Sequence, residues 1–143
     1  MHNYPLHKWL TMNTELHLIR EALNVGPEDQ SLWYYHQFLM LNLFEPNGRS
    51  TITPRLSQDD RVTYVNREID DIKDLLEDYD DSQLIYEALI DYTLALCQLE
   101  ERQSSDEEKA SLNEWLAKLR ELDPMRNGRW NDLEKDLTST EVL

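Results

Sequence analysis

Few side chains in this sequence could do chemistry. Four histidines (His2, His7, His17 and His36) and one cysteine, Cys97, are its candidates for soft metal ligation or nucleophilic attack. None of the histidines pairs with another histidine or with Cys97 at the helical spacing of a metal set, and no paired-Cys zinc spacing or His-Glu-x-x-His occurs. No phosphate-cradling glycine loop or dinucleotide fingerprint is present. Cys97 lies inside an apolar run. A reactive thiol needs an exposed, electropositive setting, so Cys97 reads as a buried structural residue. His36, on an aromatic helix, reads as a satisfied core or interface residue. The carboxylates from Glu68 to Asp81 read as a solvated helix face. The cluster Trp33-Tyr34-Tyr35 suits core and subunit interface better than a ligand pocket. The sequence therefore offers no catalytic, cofactor-binding or metal-ligating residue of its own. It reads as a binding module.

The elements that would position these residues are helical. Valine, isoleucine and threonine are sparse, and no run alternates with a period of two, so the chain is all-α. The central segment runs from Asp29 to Met40. Asp29 and Ser31 follow Pro27 as helix-start residues. The helix from Ser31 to about Leu43 is apolar on nearly every side. Leu32, Tyr35 and Leu39 form one stripe, and Trp33, His36 and Met40 another. Such a helix is expected to be covered on more than one side.

Upstream, Pro5 could open a helix over Leu6–Met12. Asn13 is then the expected N-cap of a second helix, Thr14–Asn24, with Leu16, Ile19 and Leu23 on one face. Val25-Gly26-Pro27 ends it. Downstream, residues 44–57 form a connector with turn chemistry at Pro46-Asn47-Gly48. Ser57 and Asp60 resemble a capping box. Val62, Val65, Ile69, Ile72, Leu76 and Tyr79 then mark a one-sided helix whose outer face includes Arg61, Arg67, Glu68 and a row of acids. Asp80-Asp81-Ser82 breaks it. Leu84–Leu99 is apolar on several sides.

Ser105 and Glu108 form a second capping box ahead of a helix over Asp106–Leu122, with Leu112, Trp115, Leu116, Leu119 and Leu122 on one face. Asp123-Pro124 stops that helix. A short last one, about Gly128–Leu137, carries Trp130 and Leu133, and a frayed tail is expected from Thr138. Three hairpins emerge, about 14–43, 58–102 and 106–137, in one helical-repeat domain spanning 1–143. Each pairs an outer helix with an inner one, and stacking must supply the contacts that a single repeat lacks.

Charge narrows the choice of partner. Fourteen basic residues against 29 acidic ones give a net charge of −15 over 143 residues. Nucleic acid and anionic membrane surfaces should repel such a chain. No run approaches a membrane span, no apolar leader follows the first residues, and one cysteine permits no disulfide framework. A cytosolic, protein-binding role is expected.

The segment Asp29-Gln30-Ser31-Leu32-Trp33-Tyr34-Tyr35-His36 resembles the repeat signature of protein prenyltransferase alpha subunits. The matching positions are Asp29, Ser31, Trp33 and His36. The stretch Leu122–Leu133 and the segment Pro54–Leu89 are similar to the Rab-modifying, type II geranylgeranyl branch of that family, in its fungal form. In the second hairpin Asp81 matches the signature, whereas Tyr86 stands where a Trp would be expected. The resemblance implies a right-handed α-α superhelix of helical hairpins, and this chain would be its C-terminal part.

It also implies partners. A beta subunit would hold a zinc ion and the isoprenoid diphosphate, and the zinc-bound thiolate of a substrate would attack C1 of geranylgeranyl diphosphate. An escort protein would present the Rab GTPase whose C-terminal cysteines are modified. The chain itself would carry no cofactor. Asp29, Ser31, Trp33, Tyr34, Tyr35 and His36 would form the repeat signature and subunit interface. The alternative reading is a free-standing acidic adaptor of the tetratricopeptide kind.

Overall fold

Capping and turn chemistry set the boundaries of six α-helices. The computed structural model describes residues 3–44 and 56–142, with side chains for 13–44 and 56–138. The helices are α1 (Asn3–Val25), α2 (Gln30–Phe44), α3 (Gln58–Leu75), α4 (Gln83–Leu99), α5 (Asp106–Leu122) and α6 (Asn127–Val142), with a 3-10 turn over Pro124–Arg126. Among the described residues there is no strand, so the chain is all-α. Most of the expected connector, 44–57, lies outside the described residues.

The chain divides into two compact units, residues 1–68 and 69–143. In the first, α1 packs on α2. Leu16, Ile19 and Leu23 of α1 are buried, as are Trp33, Leu39, Met40 and Leu43 of α2. In the second unit α5 packs on both α4 and α6. Ile85, Leu89, Ile90, Leu96 and Cys97 of α4 are buried, with Leu112, Trp115, Leu116 and Leu119 of α5 and Trp130 of α6. Leu84–Leu99, expected to be apolar on several sides, is thus buried along much of its length. Burial pushes the Cys97 thiol above its ordinary value, although Ser104 Oγ lies 3.6 Å away, so the group stays protonated and inert.

Three boundaries differ from expectation: α3 stops at Leu75, short of the expected Tyr79, because the N–H groups of Leu76, Glu77 and Asp78 turn to the carbonyls three residues back, and the other two lie in α1 and α6. Asn13 caps no helix, because α1 runs unbroken from Asn3 to Val25. Neither Asn13 nor Thr14 is a breaker, and the Asn13 Oδ1 instead accepts a hydrogen bond from Arg67 Nη2 at 3.1 Å. At the other end α6 continues to Val142 rather than fraying at Thr138, whose hydroxyl donates to the Glu134 carbonyl at 2.9 Å within the helix.

Helix starts follow the sequence closely. The Asp29 carboxylate accepts from the Ser31 N–H at 2.9 Å, and the Ser57 hydroxyl from the Asp60 N–H at 3.1 Å. The Ser105–Glu108 box is complete: the Glu108 N–H donates to Ser105 Oγ at 3.1 Å and the Ser105 N–H to Glu108 Oε1 at 2.9 Å.

One device recurs in three of the described inter-helix turns. The Trp33 indole N–H donates to the Pro27 carbonyl at 2.7 Å. The Tyr86 hydroxyl donates to the Asp80 carbonyl at 2.6 Å. The Trp130 indole N–H donates to the Asp123 carbonyl at 2.7 Å. In each case an aromatic ring one turn into the second helix is buried and its polar tip closes the preceding turn. Tyr86, which breaks the Trp pattern in sequence, does the same work with a phenol.

Candidate functional site: the Asp29–His36 segment

The six signature residues lie on α2 and its N-terminus but do not converge on one spot. Trp33 and His36 point inward, 6 % and 1 % exposed, with their rings edge-to-face at a centroid distance of 6.0 Å. Asp29 and Ser31 are exposed and form the helix start. Tyr34 and Tyr35 face solvent. The expectation that α2 is covered on more than one side is corrected here: Tyr34 is 64 % exposed, Phe38 59 %, Leu41 44 % and Tyr35 40 %. Tyr34, Phe38 and Leu41 recur at steps of four and three, so they make one continuous stripe. Phe38 stacks on Tyr35 at 6.3 Å and 20°. The Tyr35 hydroxyl donates to Glu15 Oε2 at 2.9 Å, and that carboxylate raises the phenol above its ordinary pKa.

Beneath the inward side lies a buried charge cluster. Glu68 of α3 is completely buried. Its Oε1 pairs with His36 Nε2 at 3.1 Å and its Oε2 with Arg20 Nη2 at 2.5 Å. Burial alone would raise the Glu68 pKa; the hydrogen bond and charge of His36, together with Arg20, overcome it and hold the carboxyl below the usual carboxylate value. The cluster joins α1, α2 and α3 through one carboxylate.

Arg61, one heptad before Glu68, is also buried, at 1 % exposure. Its Nη1 donates to the Asn42 carbonyl at 2.6 Å and the Leu43 carbonyl at 3.4 Å, and its Nε to the Leu56 carbonyl at 3.3 Å. Those acceptors include the last-turn carbonyls of α2, where a cation is favoured. Burial lowers the pKa of this guanidinium.

The placement of Arg61 and Glu68 overturns their assignment to a solvated outer face. A signal did exist: Arg61, Val65, Glu68 and Ile72 recur at steps of four, three and four, in phase with the apolar stripe. Two charges of opposite sign at that spacing mark an inward polar seam as readily as a solvated one.

The arrangement positions helices; it does not present a reacting centre. His36 is shielded and engaged by Glu68, and Cys97 lies in the other unit. Among the described residues no group of three His, Cys, Asp or Glu side chains could hold a metal ion. Among them, too, no helix is long and apolar enough to cross a membrane.

Comparison with known proteins bears on what this scaffold belongs to. No family model matches the chain, and no solved structure matches it significantly. One curated relative is the geranylgeranyl transferase type-2 subunit alpha of Schizosaccharomyces pombe, 30 % identical over 131 residues. The match takes in 90 % of this chain and 37 % of the relative, so the chain spans little more than a third of that protein's length. The resemblance carried by Asp29, Ser31, Trp33 and His36 therefore extends across nearly the whole chain, which is similar in sequence to a type-2 geranylgeranyl transferase alpha subunit.

Proposed function

We propose that this chain is a C-terminal, helical-repeat portion of a protein prenyltransferase alpha subunit of the type-2, Rab-modifying kind. In this reading it binds the catalytic beta subunit and performs no chemistry alone. The observation that carries the proposal is the similarity over 131 residues to an alpha subunit. The geometry supports it in two ways. Among the signature residues His36 belongs to the cluster that holds α1, α2 and α3 together and Asp29 and Ser31 start α2, while the open Tyr34–Phe38–Leu41 stripe offers apolar surface for a second chain to cover. Zinc and the isoprenoid diphosphate belong, in this proposal, to the beta subunit, and the escort protein and Rab GTPase approach the assembled pair.

The test is co-elution. The chain is mixed with the matching beta subunit and passed over a sizing column. A single peak containing both supports the proposal; two separate peaks argue for the acidic adaptor instead.

A further inference from the structure

A cleft of about 300 Å³ opens in the first unit, lined by Asn13, Thr14, His17, Arg20 and Arg67. That volume is at the lower end of small-ligand sites. All five lining residues are polar and rich in hydrogen-bond donors, in a chain whose net charge is −15. Of the described basic side chains of this unit, Arg20, Arg61 and Arg67, two are at this cleft and the third is buried elsewhere. The acids Glu15, Glu28, Asp29, Asp59 and Asp60 do not line it.

The charges at the cleft are unequal. Arg20 gives one Nη to the buried Glu68 carboxylate. His17 lies 3.1 Å from Glu21 on the exposed side of α1. Arg67 is held by neutral groups: its Nη2 donates to Asn13 Oδ1 at 3.1 Å, and its guanidinium sits 5.1 Å from the centroid of the Tyr64 ring. Neither the amide nor the ring cancels its charge. Both, however, fix the planar fork at the cleft, which suits it to a carboxylate. One formal positive charge left in place suits a monoanion better than a phosphate dianion.

We propose that this cleft receives a single carboxylate, contributed by an acidic side chain or chain end of a partner, with Arg67 as its main contact and Asn13, Thr14 and His17 as neighbouring polar groups. None of these residues belongs to the exposed aromatic stripe of α2, so the inference does not rest on the proposed binding of a beta subunit.

The full chain, labelled with 15N, is titrated with sodium acetate, sodium phosphate or sodium chloride at constant ionic strength, and the Arg67 Nε–Hε and His17 signals are followed by NMR. Acetate should give saturable shifts, and chloride should give only a small linear drift. Arg67→Gln should weaken the acetate response about tenfold or more, the size expected for loss of a charged hydrogen-bond partner, with helix content by circular dichroism unchanged. Asn13→Ala, which keeps both arginines, should weaken it less. Equal responses to acetate and chloride would overturn the proposal. So would saturable binding that survives Arg67→Gln. Phosphate binding more than tenfold tighter than acetate would overturn the carboxylate assignment.

Discussion

Glu68 shows how one residue can hold three helices. A carboxylate with its two oxygens engaged by a buried imidazole and a half-buried guanidinium is favourable only while both partners remain. Glu68→Gln keeps the shape and removes the charge, leaving His36 and Arg20 with a weak acceptor. Loss of one member of a buried pair is worth about 3–5 kcal/mol, and urea denaturation should show a lower midpoint of that order. A change under 1 kcal/mol would mean that the cluster is not structural.

pH should act in the same direction. Because its partners lower the Glu68 pKa in the folded chain, the native state keeps this carboxyl ionised where the unfolded chain would protonate it. Its contribution is complete above the ordinary carboxylate range and is lost as pH falls toward the lowered value. In Glu68→Gln that part of the acid sensitivity should vanish.

The aromatic ties give a second test of single residues. Tyr86→Phe removes the hydroxyl bonded to the Asp80 carbonyl at 2.6 Å and should cost about 1 kcal/mol. Tyr34→Phe, on an exposed ring, should cost much less. Equal effects in thermal melts would contradict the assignment of Tyr86 as a turn tie.

At the scale of elements, the helix starts were the most legible features. Ser105 and Glu108 announce α5, because each side chain satisfies a backbone N–H that the helix leaves without a partner. The box is reinforced by Arg102, whose Nη1 and Nη2 reach Glu108 at 2.6 and 3.0 Å. That pairing, with the Ser105 bonds, lowers the Glu108 carboxyl from 4.5 to about 2. Ser105→Ala should destabilise the second unit by about 1 kcal/mol. The wild-type contribution from Glu108 is full above pH 4.5 and should fade as pH drops toward about 2. Equilibrium unfolding at pH 6 and pH 3 should therefore show a smaller effect of Ser105→Ala at the lower pH.

Other elements were less legible. The sequence suggests a cap at Asn13 because Asn favours caps, yet a lone Asn without Gly or Pro does not break a helix, and tertiary bonding to Arg67 supplies its partner. For Arg61 and Glu68 charge alone suggests water, whereas their heptad spacing and burial place them inward. The Trp33 and His36 stripe was legible because period and composition agreed. The exposure of Tyr34 and Phe38 was not, since periodicity shows that a face is apolar without showing which chain covers it.

At the scale of the whole molecule, the proposed account rests on the uncovered stripe of α2 and the similarity to an alpha subunit. Aromatic side chains of this kind contribute most of the free energy where interfaces are well packed. Tyr34 and Phe38 take no part in the buried cluster, so changing them leaves the fold intact. The most direct measurement is a calorimetric titration of the matching beta subunit with the wild-type chain and with Phe38→Asp. The account predicts saturable one-to-one binding that weakens at least about tenfold in the variant, as a buried aromatic anchor requires, while the variant's thermal melt is unchanged. No binding by the wild-type chain, or equal binding by both, would contradict it.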